Sequence, residues 1–230
     1  MKIVVIGGTG VLGSKVIDKL RDHGVKAVAA SPRTGVNTLT GYGLSEALTD
    51  ADVVVDVANS PSFDDDPVME FFTKSTTNLL TAAKATGVKH YVVVSIVGCD
   101  QLPDSGYLRA KVAQEKLVEE SGLPYSIVRA TQFAEFTDTI TESMTVGDEV
   151  RVPDALIQPI AAEDLAAEVA RVATGEPLRG IANIGGPQKI SFEEMARAVL
   201  ARRGQSKTVV VDPQAGYFGT PLSRNSLVTA

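Results

Sequence analysis

Five short apolar runs recur along the first 130 residues, at 2–6 (KIVVI), 25–30 (VKAVAA), 52–57 (DVVVDV), 90–95 (HYVVVS) and 125–129 (YSIVR). They are rich in Val and Ile, and none alternates polar with apolar residues. Strands buried on both faces read this way, and a parallel sheet covered by helices buries both faces. Between the runs, apolar residues recur at helical spacing: Val11, Leu12, Val16, Ile17 and Leu20 in 11–23; Val68, Phe71, Phe72, Leu79, Leu80 and Ala83 in 67–86; Leu108, Val112, Leu117 and Val118 in 107–121. Gly24, Gly87 and Gly122 follow these stretches, where a left-handed terminal residue is wanted. Alternating buried strands and amphipathic helices predict βαβ units and a doubly wound parallel α/β sheet.

The remaining stretches are less regular. Residues 31–49 carry Pro32, Gly35, Gly41 and Gly43, and read as a loop, a short strand near Val36–Leu39 and a short helix near Leu44–Leu48. The composition of 59–67 (NSPSFDDDP) is that of a loop. Beyond residue 130 the pattern predicts a helix over 161–174, a strand over 181–186 and a helix over 191–204 that opens with a Ser191–Glu194 capping box. No linker-like tract divides the chain. The expectation is one domain over 1–230, with about 131–230 forming a small substrate-binding lobe on the same core.

Net charge is −6, which argues against the basic patches that general nucleic-acid binding needs and gives no support for an anionic membrane surface. One cysteine (Cys99) and two histidines (His23, His90) leave no thiolate or histidine set for a metal, and the adjacent carboxylates of 63–67 do not converge on one ion. The opening apolar run is too short for a signal peptide, and no later run reaches membrane-spanning length. The expectation is a cytoplasmic protein whose partner is a small molecule.

Between the first run and the first helix stand Gly7, Gly10 and Gly13, spaced three apart. Glycine takes the positive φ of a tight turn and, lacking Cβ, lets a pyrophosphate approach the backbone. The helix starting near Val11 turns its unpaired N–H groups and positive dipole end to the same place. The stretch therefore reads as a dinucleotide cradle built by Gly7, Thr9, Gly10, Val11, Leu12 and Gly13. Its alternative is a strand–helix turn that binds nothing. At the end of the second strand, where an acidic residue would hold the ribose 2′-hydroxyl of NAD, the sequence has Ser31, with Arg33 two residues on. With no carboxylate to repel it and a guanidinium to grip it, a 2′-phosphate is accommodated, so NADP(H) is expected over NAD(H).

Only Tyr107, of five tyrosines, has a lysine four residues later, Lys111, and the pair opens the helix after the run ending in Ser95. Residues i and i+4 share a helix face. A nearby ammonium lowers a phenol's pKa, which would let Tyr107 act as general acid toward a carbonyl oxygen while Ser95 hydrogen-bonds that oxygen. The bland alternative is an exposed pair on a solvated helix face. Cys99 has no partner base and reads as a packing thiol.

The stretches VVIGGTGVLGSKV, ALTDADVVVDVAN, TTNLLTAAKATGVKHYVVVS and YLRAKVAQEKLVEESGLPYSIVRATQF resemble the short-chain dehydrogenase/reductase superfamily, and more closely its atypical and extended members, the NmrA-like NAD(P)-binding proteins and nucleotide-sugar epimerase relatives. QPIAAEDLAAEVARV and NIGGPQKISFEEMARAVL resemble the C-terminal lobe of that branch, so the likeness runs to about residue 203 and leaves 204–230 unassigned. The resemblance implies a Rossmann fold and a Ser-Tyr-Lys catalytic set at Ser95, Tyr107 and Lys111, with Lys111 also holding the nicotinamide ribose. It further implies a cofactor contact at Asn59 and Thr131, Gln132 and Phe133 flanking the substrate. Phe72 stands where many relatives carry asparagine. Three functions follow in order: an NADP(H)-dependent oxidoreductase of a small carbonyl or quinone-like compound; an NADP(H) sensor without chemistry; a nucleotide-sugar epimerase or dehydratase, which the modest second lobe disfavours.

Overall fold

The computed structural model describes residues 1–230. Its first half alternates as the apolar runs predict: β1 (Lys2–Ile6), α1 (Val11–Asp22), β2 (Lys26–Ala30), α2 (Leu44–Leu48), β3 (Val53–Asp56), α3 (Asp65–Ala85), β4 (His90–Ile96), α4 (Gly106–Glu119) and β5 (Tyr125–Ala130). The second half adds α5 (Thr137–Ser143), β6 (Thr145–Val146), β7 (Glu149–Val152), β8 (Leu156–Ile157), α6 (Ala162–Thr174), β9 (Ile181–Ile184), β10 (Ile190–Ser191), α7 (Phe192–Arg203), β11 (Thr208–Val211), β12 (Gly216–Tyr217) and β13 (Thr220–Pro221). No helix is long and apolar enough to cross a membrane.

Six strands form one sheet in the order β2-β1-β3-β4-β5-β9, every pair parallel. The strand period of two sends Ile3 and Val5 to one face and Val4 and Ile6 to the other. Ile3 and Val5 pack with Val16 and Leu20 of α1 and with Leu165 and Val169 of α6. Val4 and Ile6 pack with Leu44 and Leu48 of α2, Leu79 of α3 and Val118 of α4. All of these side chains are buried, which is why the runs show no alternation. A third apolar cluster joins Leu108 of α4 to Ile140, Val150, Ile157, Phe192, Met195, Tyr217 and Leu227.

The chain leaves β1 for β2 on one side and later returns to β3 on the other. Strand order reverses there, and the carboxyl ends of β1 and β3 are the place where open α/β sheets bind ligands.

Helix ends follow the predicted chemistry. Ser191 and Glu194 form the reciprocal capping box of α7, and Gly24, Gly87 and Gly122 take positive φ after α1, α3 and α4. The strand expected near Val36–Leu39 is absent. Asn37 Oδ1 accepts hydrogen bonds from the Leu39 and Thr40 N–H groups, and Asn78 donates to the Thr38 and Leu39 carbonyls. These side chains take the backbone groups a sheet would need, so the segment turns.

Candidate active site

The glycine turn lies at this switch point, between β1 and α1. Gly7 takes φ of +77°, and its N–H donates to the Ala30 carbonyl at 2.9 Å, binding the turn to the end of β2. A β-carbon on Gly7 would stand 3.0 Å from Ala58 backbone, and one on Gly13 would collide with the Gly7 carbonyl. Gly8, which the glycine spacing passes over, is equally confined: a β-carbon there would meet the Val5 carbonyl oxygen at 2.7 Å and Ala29 Cα at 2.8 Å. Gly10 caps α1 with no side-chain hydrogen bond, and no acidic residue lies in the first turn. The first N–H groups of α1, at Val11, Leu12 and Gly13, have no partner within the helix. The glycines thus let the turn pack tightly against β2, the end of β3 and α1, next to a helix start whose free N–H groups suit a pyrophosphate.

Thr9 Oγ1 donates to Ser31 Oγ at 3.0 Å, so the turn and the end of β2 form one wall. Ser31 is buried and caps the short turn Pro32–Thr34, whose Thr34 hydroxyl accepts the Ser31 N–H at 2.9 Å. Arg33 stands exposed on that turn, beside the wall.

Tyr107 opens α4, which is capped by Ser105. Its phenol donates to Asn59 Oδ1 at 3.2 Å, bringing together two of the expected site residues from α4 and from the loop after β3. The rings of Phe63, Phe72 and Phe218 surround it at 5.1, 6.1 and 5.3 Å between centroids. In this apolar setting burial pushes the phenol up to about 12. The sequence expectation, that Lys111 lowers it, is corrected. The Lys111 ammonium turns inward, donates to the Val94 carbonyl at 2.9 Å and to Gln114 Oε1, and lies 4.4 Å from the centre of the Phe72 ring. Burial brings Lys111 down to about 8, against the pull of Asp56 and Glu115.

Lys111 belongs to a buried polar relay that apolar periodicity could not reveal. Gln114 donates to Asp56 Oδ2 and Thr76 Oγ1, both at 3.2 Å, and Tyr91 donates to Asp56 Oδ2 at 3.0 Å. Desolvation raises the Asp56 carboxyl above its ordinary value. The one sequence sign of this relay was a carboxylate inside VVVDV, a strand otherwise apolar. Ser95 is buried, and its Oγ lies 3.9 Å from Cys99 Sγ. Cys99 in turn meets Glu115, whose carboxylate takes two hydrogen bonds from Arg129, at 2.9 and 2.6 Å. Of the expected catalytic set, Tyr107 alone stands against Asn59. Ser95 and Lys111 are buried and bonded instead to Cys99 and to Val94 and Gln114.

At the end of β5, Thr131 donates to the Gln158 carbonyl at 2.5 Å and accepts the Gly186 N–H at 3.4 Å, which spends its hydroxyl on structure. Gln132 is 7% exposed, and neither its amide nitrogen nor its amide oxygen has a partner. A buried primary amide with both ends free can serve a group that both donates and accepts. Phe133 packs against the cluster under α1 and α6.

A family model described as NAD(P)H-binding matches residues 7–176. The photosystem II assembly factor Ycf39 of Cyanophora paradoxa is 29% identical over 147 residues, 58% of this chain and 46% of its own. The chain therefore spans less than half the length of that relative. The NAD(P)H azoreductase of Xenophilus azovorans is 29% identical over 222 residues, 88% of this chain and 74% of its own. Among solved structures, the UDP-glucose 4-epimerase of Thermus thermophilus, in complex with NAD, superposes with a TM-score of 0.74 over 99% of this chain and 92% of its own, at 18% identity, a likeness of fold. With the glycine cradle at the switch point of a six-stranded parallel Rossmann sheet, the family match over residues 7–176 places the chain in the NAD(P)H-binding family.

Proposed function

We propose that the protein is an NADP(H)-dependent oxidoreductase that reduces a small carbonyl or quinone-like compound, with Tyr107 as the proton donor. The observation that carries this reading is the phenol of Tyr107, hydrogen-bonded to Asn59 on the loop that flanks the glycine turn. Gly7, Thr9, Gly10, Val11, Leu12 and Gly13 would hold the pyrophosphate, and Ser31 with Arg33 the adenosine 2′-phosphate. When bound, NADPH supplies the hydride. Tyr107, its phenol held protonated by its apolar surround, gives its proton to the acceptor oxygen and regains one from solvent. Asn59 orients the phenol. Lys111 and Ser95 serve from behind, Lys111 by fixing the start of α4 on β4 through the Val94 carbonyl. Thr131, Gln132 and Phe133 flank the acceptor, and the free amide of Gln132 is suited to a carboxamide or carbonyl. The azoreductase likeness supports reductive chemistry on a conjugated acceptor.

A second reading is an NADP(H) sensor without turnover. It is favoured by the inward set of Lys111 and by Ser95, buried with its hydroxyl against Cys99. The test is NADPH consumption over a panel of aldehydes, ketones and quinones, wild type against Y107F. A loss of about 100-fold or more in turnover with unchanged NADPH affinity supports proton donation. Equal turnover in both removes Tyr107 from the mechanism, and none with any acceptor favours the sensor.

A further inference from the structure

The C-terminal hairpin carries an anomaly. Strands β12 and β13 pair Tyr217 with Thr220, and the two residues between them, Phe218 and Gly219, have φ of +49° and +76°. A two-residue hairpin turn with both central residues at positive φ favours Asn-Gly, because Asn tolerates the left-handed region and a bulky ring does not. Phe218 occupies that first position against its backbone preference. Strain of this kind persists where the surroundings hold it, and it collects at functional sites.

The surroundings point to a use. Tyr217 is buried against Phe192, 6.0 Å between ring centres, and anchors the hairpin in the third core cluster. Phe218 is left 43% exposed, its ring 5.3 Å from Tyr107 and 5.5 Å from Phe63. Phe63 is itself 51% exposed, on the loop after β3, where Ser62 and Asp64 bond to each other through both side chain and backbone. Segments far apart in sequence thus set two half-exposed rings at the rim of the Tyr107 phenol. Beside these two rings the Tyr107 hydroxyl donates to the Asn59 side-chain carbonyl. A flat body with one carbonyl oxygen needs a ring face and one donor, which is what the rim presents.

We propose that Phe63 and Phe218 form an aromatic collar that selects flat conjugated carbonyl acceptors fused to an aromatic ring and brings the acceptor oxygen to the Tyr107 hydroxyl. This rests on the reductase reading of Tyr107, and it gives the otherwise unassigned segment 204–230 a role in substrate choice. Phe218 keeps an unfavourable backbone because its ring contacts the substrate.

The experiment is calorimetric titration of the protein saturated with NADP+, which permits no reduction, with 1,4-naphthoquinone and with 1,4-cyclohexanedione, two dicarbonyls that differ in the aromatic plane. Wild type is expected to bind the naphthoquinone about tenfold tighter or more, two ring contacts each contributing a few-fold. F218N restores the preferred Asn-Gly pair, so it is expected to reduce that ratio severalfold while raising Tm by about 2 °C. F63L, in a separate segment, is expected to reduce the ratio as well. Equal affinity of wild type for the two compounds overturns the collar, as does a ratio unchanged in both variants. Failure of the reductase reading shows separately: a protein that binds NADP+ and naphthoquinone but never consumes NADPH keeps the collar and loses the chemistry, whereas no NADP+ binding removes the ground for both.

Discussion

Gly13 in the first turn of α1 faces the carbonyl oxygen of Gly7 so closely that the oxygen occupies the space a β-carbon would fill. The cradle is therefore defined by two glycines six residues apart in sequence, one of which holds φ at +77°. Gly13→Ala must push Gly7 outward or tilt α1, and either movement displaces the N–H groups aimed at the phosphates. The expected result is a loss of more than about tenfold in NADPH affinity, with a stability cost of about 2 kcal/mol. Fluorescence titration of NADPH together with thermal melting checks it. Unchanged affinity with the same stability cost would mean that the turn is structural only.

Coenzyme choice is expected to rest on Arg33. The side chain is exposed beside the Thr9–Ser31 hydrogen bond, with no acidic residue at the end of β2 to favour an unphosphorylated ribose. A charge-assisted hydrogen bond contributes about 1.5–3 kcal/mol. Arg33→Ala should therefore weaken NADPH binding by about tenfold or more and leave NADH binding nearly unchanged. Paired titrations with both coenzymes decide it, and a parallel loss for both would exclude a role for Arg33 at the 2′-phosphate.

Much of this architecture was legible because burial of β1, β3 and β4 on both faces leaves continuous apolar runs, and because α1, α3 and α4 present one apolar stripe each. The dinucleotide turn was legible for the same reason: glycine spacing matters only between such a strand and such a helix. What escaped depends on side chains from distant segments meeting. Asn37 closes a turn over 36–39 with its own amide oxygen, which a propensity reading takes for a strand. The direction of the Tyr107 shift is set by Phe63, Phe72 and Phe218, and no local pattern joins them to a lysine four residues along. Gly8 lay outside the spacing of three, yet its contact with Ala29 brings β1 and β2 together at the cradle.

Arg129 and Glu115 connect β5 to the helix that carries Tyr107 and Lys111. Their side chains are 11% and 5% exposed, with two hydrogen bonds between them, and Arg129 also reaches the more exposed Asp100 at 3.0 Å. Removing one partner of a buried pair leaves a charge without compensation, at a cost of about 3–5 kcal/mol. Glu115→Gln should therefore be strongly destabilising, near the lower end of that range because Asp100 remains. Asp100→Asn, at a half-exposed position, should cost less than about 1 kcal/mol. Urea unfolding of the two variants gives the comparison, and similar costs would show that the Glu115 pair is not the tie between α4 and the sheet.

His90 opens β4 and is 3% exposed, with Nε2 2.8 Å from Ser126 Oγ and Nδ1 without a partner. Burial lowers its pKa from 6.5 to about 4. The folded protein therefore keeps the ring neutral at a pH where the unfolded chain has already protonated it. Between pH 6.5 and about 4 the unfolded state binds more protons, so the contribution of His90 to stability is fully present above pH 6.5 and is lost as pH falls through this window. The loss amounts to about 3 kcal/mol by pH 4. His90→Gln keeps a neutral group able to bond Ser126 and has no proton to take up. Its stability relative to wild type should therefore rise as pH drops from 7 to 4, and the two curves should run parallel above pH 7. Urea denaturation at half-unit steps of pH measures this difference, and parallel curves over the whole range would show that the ring titrates normally in the folded protein.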